Sequence, residues 1–228
     1  KKANRGHNFN DVKKASKLIR WYGFNLGHQM MVGLPESTRI DEINTAKALV
    51  KLKPKMVRIY PVLVIKGTKL EQDYIEKNYE PLSVVQAVET CKELVKIFVK
   101  HHIDVIRVGL QNTDEISEPG TENSEVVAGP YHPAFRQLVE SSLWYDAIVN
   151  KIKKLNLKVK EVEITVNPID ANNLIVHKKE NILKLKDLYE VDLIVKQDEK
   201  IKQGKCDIKV TKEYNDFLEE KTDKTIKI

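Results

Sequence analysis

Cysteine is scarce: Cys91 and Cys206 are the two in 228 residues. They lie far apart, and neither belongs to a C-x-x-C motif. Two thiols alone can neither close a zinc site nor hold a cubane cluster. Cys91 falls on a helical apolar pattern and reads as a buried core thiol. A disulfide pair is not expected in a cytosolic chain. No apolar run approaches the ~18 residues of a membrane helix. The opening stretch, Lys1-Lys2-Ala3-Asn4-Arg5, lacks an initiator Met and leads into no signal-like segment. The expectation is a processed or truncated chain located in the cytoplasm. Walker loops, G-x-G-x-x-G, H-E-x-x-H and an ordered Ser–His–Asp set are also missing. The motif-bearing NTPase, dinucleotide-binding, metalloprotease and serine-hydrolase classes are therefore set aside.

Charge and apolar content are present in quantity. Lys and Arg number 39 against 33 Asp and Glu, a net charge of +6. That permits an anionic partner such as RNA, although solvated helix faces would use the same lysines. Hydrophobic residues make up 41%, enough for one large domain or one domain with an appendage.

Val12, Ala15, Leu18, Ile19 and Tyr22 repeat at helical spacing, which predicts a helix over 8–22, capped by Asn8 or Asn10. Residues 25–32 read as a buried strand, and Gly33 to Thr38 as the loop after it. Thr38, with Asp41 three residues on, opens a helix that Pro54 ends. Residues 56–61 form the next strand, with a loop from Val62 to Leu70. Ser83 and Gln86 make a second capping box for a helix reaching His101. Ile103 to Leu110 is a third strand. Apolar strands alternating with amphipathic helices imply a parallel sheet with right-handed crossovers. The pattern then changes. Residues 111–130 read as a polar loop, 133–155 as a long helix, 159–166 as a strand and 170–186 as a helix. Strands follow over 189–196 and 205–210, and the Lys-rich end, 219–228, is expected to fray.

In parallel α/β folds, ligands sit on the loops after strand C-termini. Gly33-Leu34-Pro35 gives backbone that a ligand can approach, next to a helix N-terminus. Tyr60 to Thr68 offers either an apolar wall and the cation of Lys66, or ordinary core with a solvated lysine. Arg5 precedes a helix start and is a candidate for a carboxylate. His28 is a candidate for substrate contact, against the plainer reading of a satisfied core histidine. Tyr131-His132-Pro133 is explained by the helix that follows it.

Several blocks together resemble the second half of the Elongator-protein-3-like radical S-adenosylmethionine (SAM) barrel. They are Asn4-Arg5-Gly6-His7, His28 to Pro35 with Ser37-Thr38, Lys53-Pro54, and Met56 to Thr68. Arg107 to Gln111 and Val127 to Phe135 resemble a bacterial branch of that group. The resemblance implies residues 1–110 as the C-terminal portion of a partial (β/α)₆ barrel, 111–132 as a polar connecting loop, and 133–228 as a small α+β extension. It implies a four-iron–four-sulfur cluster held by three cysteines near the first barrel strand. SAM bound there would be cleaved reductively to a 5′-deoxyadenosyl radical. Met31, Gly33, Leu34 and Pro35 would lie along the adenine, with Ile59, Tyr60, Pro61 and Val62 adding backbone and apolar contacts. Arg5 would meet the SAM carboxylate, and His28 and Lys66 would face substrate. Two departures stand out: Glu36 replaces the usual glycine, and the cluster cysteines are absent, so a chain inactive by itself is expected. No acetyltransferase domain is visible. The expected partners are the N-terminal half of the barrel and a substrate, with tRNA a candidate. The alternatives are a tRNA-binding module without catalysis, and an unrelated barrel enzyme holding phosphate at Gly33 or Gly67.

Overall fold

The computed structural model describes residues 6–155, 159–175, 180–213 and 225–227. It divides into two units, 1–139 and 140–228. No helix among the described residues is long and apolar enough to cross a membrane.

The first unit runs α1 (Phe9–Trp21), β1 (Gly27–Val32), α2 (Arg39–Lys51), β2 (Met56–Pro61), β3 (Val64–Ile65), α3 (Lys69–Ile75), α4 (Val84–Lys100), β4 (Asp104–Val108) and β5 (Val126–Ala128). The helix α5 (Phe135–Leu155) spans the boundary between the units. Capping boxes begin three helices: Asn8 with Asp11, Thr38 with Asp41, and Ser83 with Gln86. Each satisfies backbone N–H groups that would otherwise lack partners, and removing such a cap costs about 1 kcal/mol.

β1, β2 and β4 form a parallel sheet in the order β1-β2-β4. α2 and α4 lie on one face of it. Val32, Val57 and Ile59 are wholly buried on that face. Their core is completed by Ala46, Leu49, Cys91, Leu94 and Phe98, which are also buried. Strand alternation sends Gln29, Arg58 and Arg107 to the opposite, concave face, where all three are exposed. One residue, Ile106, bulges between Val105 and Arg107, so that Arg58 pairs with Arg107.

Residues 62–70 were expected as loop, and 111–130 as a free polar connection. Instead β3 pairs antiparallel with β5. Lys66 strengthens the crossing: its N–H donates to Glu125 O at 2.9 Å and its Nζ to Ser124 O at 3.0 Å. The approach needs glycine at 129, where a Cβ would come within 3.0 Å of the Val62 carbonyl oxygen.

The end of β1 is held from two sides. The Gly33 N–H donates to the buried Glu42 carboxylate on α2. Tyr79 Oη donates to Gly33 O at 2.6 Å. Ser37 N–H then donates to Leu34 O at 2.9 Å, closing a turn with Pro35 second and Glu36 third. Glu36 has φ 61°, the left-handed region a type II turn demands at that place. The glycine usual in the resembling family would sit there without strain.

In the second unit, β6 (Val159–Val166) lies parallel to β7 (Asp192–Gln197) and antiparallel to β8 (Cys206–Glu213). The single helix expected over 170–186 is two helices, α6 (Pro168–Ile175) and α7 (Glu180–Tyr189). Buried Asn181 joins them: its Nδ2 donates to Leu174 O and Ser141 Oγ, each at 2.9 Å, and to Ser141 O at 3.2 Å. Of the end expected to fray, residues 225–227 form β9, paired with β8. The remainder of 219–228 lies outside the described residues.

Asn181→Ala strips those acceptors of their donor inside the core. It is expected to cost about 2 kcal/mol in urea unfolding. Burial raises the Glu42 pKa, against the lowering effect of the Gly33 N–H. A raised folded pKa gives stability that is full below the unfolded value and is lost as pH rises through the folded value. Glu42→Gln keeps an acceptor for Gly33 without that loss. Thermal melts should therefore show the variant gaining on the parent chain from pH 5 upward, and equal pH slopes would contradict this.

Candidate functional site

The concave face is organised in rows, because the parallel register aligns residues across strands. The lowest row is Gly27, Met56 and Asp104, and the middle row is Gln29, Arg58 and Arg107. In the upper row Met31 sits beside Tyr60. That row lies at the C-terminal ends of the strands, where parallel sheets bind ligands. It is roofed: half-buried Met31 and Leu34 pack against an apolar cluster of Val62, Val64 and Tyr79. Burial pushes the Tyr79 hydroxyl up to about 12, with the nearby Glu42 charge adding to it, so it stays a proton donor to Gly33.

The residues singled out in the sequence are distributed unevenly around this site. Met31 and Tyr60 share the concave row. Ile59, Pro61 and Val62 are buried, which leaves only main-chain atoms there for a ligand. Both backbone polar groups of Gly33 are engaged, by Glu42 and Tyr79. Leu34 and Pro35 are half-buried at the turn. Lys66 is tied through Nζ to the Ser124 carbonyl. Arg5 lies outside the described residues.

His28 does not face the interior. It shares the helix-side face with Met30 and Val32, and its Nε2 lies 3.3 Å from Ser16 Oγ on α1. Burial lowers its pKa, consistent with a neutral ring packed under a helix. The residues that do occupy the interior at its level are Gln29 and Arg58. Strand alternation counted from buried Val32 and Ile59 was the signal that points to them.

A second feature lies on the helix side of β1. A groove of about 310 Å³ runs between α1 and β1, lined by Val12, Ala15, Ile19 and Leu26 among others. Beside it α1 leaves Leu18 60%, Trp21 78% and Tyr22 63% exposed.

The cysteines do not suit a cluster. Both are free and buried. They belong to different units, Cys91 on α4 and Cys206 on β8. Burial pushes the Cys91 thiol up to about 12 and the Cys206 thiol up to about 11, opposite to the thiolate that iron requires. Among the described residues no group of three or more His, Cys, Asp or Glu is arranged to hold a metal.

Residues 54–145 match the family described as the Radical_SAM C-terminal domain. An uncharacterized protein of Methanocaldococcus jannaschii is 33% identical over 115 residues, covering 50% of this chain and 34% of that protein. A tRNA uridine(34) acetyltransferase of the same organism is 34% identical over 88 residues, covering 37% of this chain and 16% of that enzyme. The solved structure of an archaeal Elp3 from Methanocaldococcus infernus, with an N-terminal deletion, superposes with a TM-score of 0.50 at 25% identity. It covers 65% of this chain and 32% of that one. The chain spans about a third or less of these proteins. It is thus an α/β protein similar to Elongator-protein-3-like radical SAM proteins: residues 54–145 match their C-terminal domain, and the fold is consistent with a partial barrel followed by a small α+β extension.

Proposed function

We propose that this chain supplies the second half of a radical SAM barrel whose cluster ligands lie on polypeptide outside these 228 residues. The observation that carries the reading is the open side of β1. That strand has a hydrogen-bonded neighbour on one edge, β2, and none on the other among the described residues. A helix in a right-handed crossover covers both strands it connects. α1 meets β1 through Ser16 and His28, and the groove between them, beside exposed Leu18 and Tyr22, is where a preceding parallel strand would fit.

SAM in such an enzyme supplies the radical that starts the chemistry. This chain's part is to shape the cavity. Met31 and Tyr60 form the apolar side of the upper row. The clamp of Glu42 and Tyr79 on Gly33 fixes the turn at the end of β1, so that the rim keeps one geometry. Main-chain atoms of residues 33–35 and 59–62 would line the adenosine. His28 would act on substrate only through Ser16 and the packing of α1, and Lys66 only after leaving Ser124. The substrate in this reading is tRNA, supported by the names of the relatives and by the basic charge of the chain.

The test is anaerobic reconstitution with iron and sulfide, followed by reduction in the presence of SAM. The 228-residue chain should show no cluster absorption and release no 5′-deoxyadenosine. Joined to a polypeptide bearing the three cluster cysteines, it should do both. A cluster forming on the chain alone would overturn the assignment. Steeply salt-dependent tRNA binding without any SAM cleavage in the joined protein would favour a non-catalytic binding module.

A further inference from the structure

Arg58 and Arg107 stand side by side on neighbouring strands in matched register. Both are exposed on the concave face. Like charges directly opposite one another destabilise a sheet, so an unrelieved pair is costly without a counter-charge. None is supplied among the described residues. Beyond its backbone ladder, the Arg58 side chain makes no hydrogen bond or ion pair with any of them. Arg107 donates from Nη1 to Gln111 Oε1 at 3.1 Å, a neutral partner that steers its guanidinium without neutralising it. Asp104 lies one row toward the strand N-termini and pairs with neither arginine among the described residues. On the other flank of Arg58 the register places Gln29, an uncharged donor.

We propose that Arg58 and Arg107, flanked by Gln29, form a binding site for a phosphoryl group on the face of the β1-β2-β4 sheet away from α2 and α4. A guanidinium offers a planar fork of N–H groups. One fork satisfies a planar carboxylate, whereas two forks arriving from adjacent strands match the tetrahedrally disposed oxygens of a phosphoryl group, the two non-bridging oxygens of a phosphodiester or the three of a terminal phosphate. The site depends on the β2–β4 register alone and goes beyond the proposed function. It stands whether or not SAM binds above it. The phosphoryl group belongs either to a polynucleotide backbone or to a small phosphorylated compound.

The experiment titrates the 228-residue chain with inorganic pyrophosphate by calorimetry at low salt, beside Arg58→Gln, Arg107→Gln and the double variant. Each single change should weaken binding about 10-fold or more, and the double should abolish it. A single-stranded oligoribonucleotide serves as the second ligand. If its affinity falls in step, and its salt slope drops by about one for each arginine removed, the source is a polynucleotide. If pyrophosphate alone responds, the source is a small phosphorylated compound. Either result supports the site. Relief of like-charge repulsion also predicts that the unliganded single variants melt at the parent temperature or above it. The proposal is overturned by pyrophosphate binding that survives the double change, by no pyrophosphate binding to the parent chain, or by acetate binding as tightly as pyrophosphate. A lower melting temperature with binding retained would make the pair structural instead.

Discussion

Right-handed crossovers send α2 and α4 to one face of β1-β2-β4, and that one-sidedness decides what each strand residue does. Apart from half-buried His28, side chains facing the helices are apolar and largely closed to solvent. Among the described residues, side chains facing the other way have no layer of their own below the roof of Val62, Val64 and Tyr79. Burying the helix face of Val32, Val57, Ile59, Leu94 and Phe98 stabilises by roughly 2 kcal/mol or more per side chain. That term acts together with the backbone ladders of β1-β2-β4 to hold the three strands. It does nothing for the concave face, where Gln29, Arg58 and Arg107 stay exposed.

The turn after β1 joins the core to the site. Glu42 comes from a core-facing helix, Tyr79 from the segment that roofs the upper row, and both close on Gly33. Gly33 has φ +84°, where any other residue is strained, and a Cβ there would crowd the Leu82 side chain at 3.1 Å. The rim is thereby preorganised by the chain's own hydrogen bonds. A ligand there meets fixed edges and pays little ordering cost.

Much of this was legible in the sequence. Two of the three capping boxes, at Thr38 and Ser83, the strand at 56–61 and the helix at 84–100 follow from side-chain spacing, which local physics enforces; at the first helix Asn8 was legible only as a cap, without its Asp11 partner. The β3–β5 pairing was not legible, because Val64-Ile65 and Val126 to Ala128 are too short for periodicity and lie some sixty residues apart. The break between α6 and α7 was missed because Asn181, polar in sequence, is a buried connector whose partners Ser141 and Leu174 are remote or out of phase. At the site, the motif blocks drew attention to Ile59 and Val62, whose side chains are core. Arg58 lies beside Ile59 on β2 and Arg107 on the neighbouring β4; both were passed over as site residues, since their significance needs the cross-strand register that a bulge at Ile106 sets.

The barrel-completing role of β1 is open to direct measurement. Leu26 and Val32 give their carbonyls to the β2 side, so alternation turns the N–H groups of Gly27 and Gln29 toward the open edge. Residue-resolved hydrogen exchange should find those two amides fast and the Met30 amide protected in the chain alone. Joined to polypeptide carrying the cluster cysteines, Gly27 and Gln29 should become protected as a new parallel strand forms on β1. If they stay fast in a joined protein that cleaves SAM, the barrel is not completed at this edge and the account is wrong.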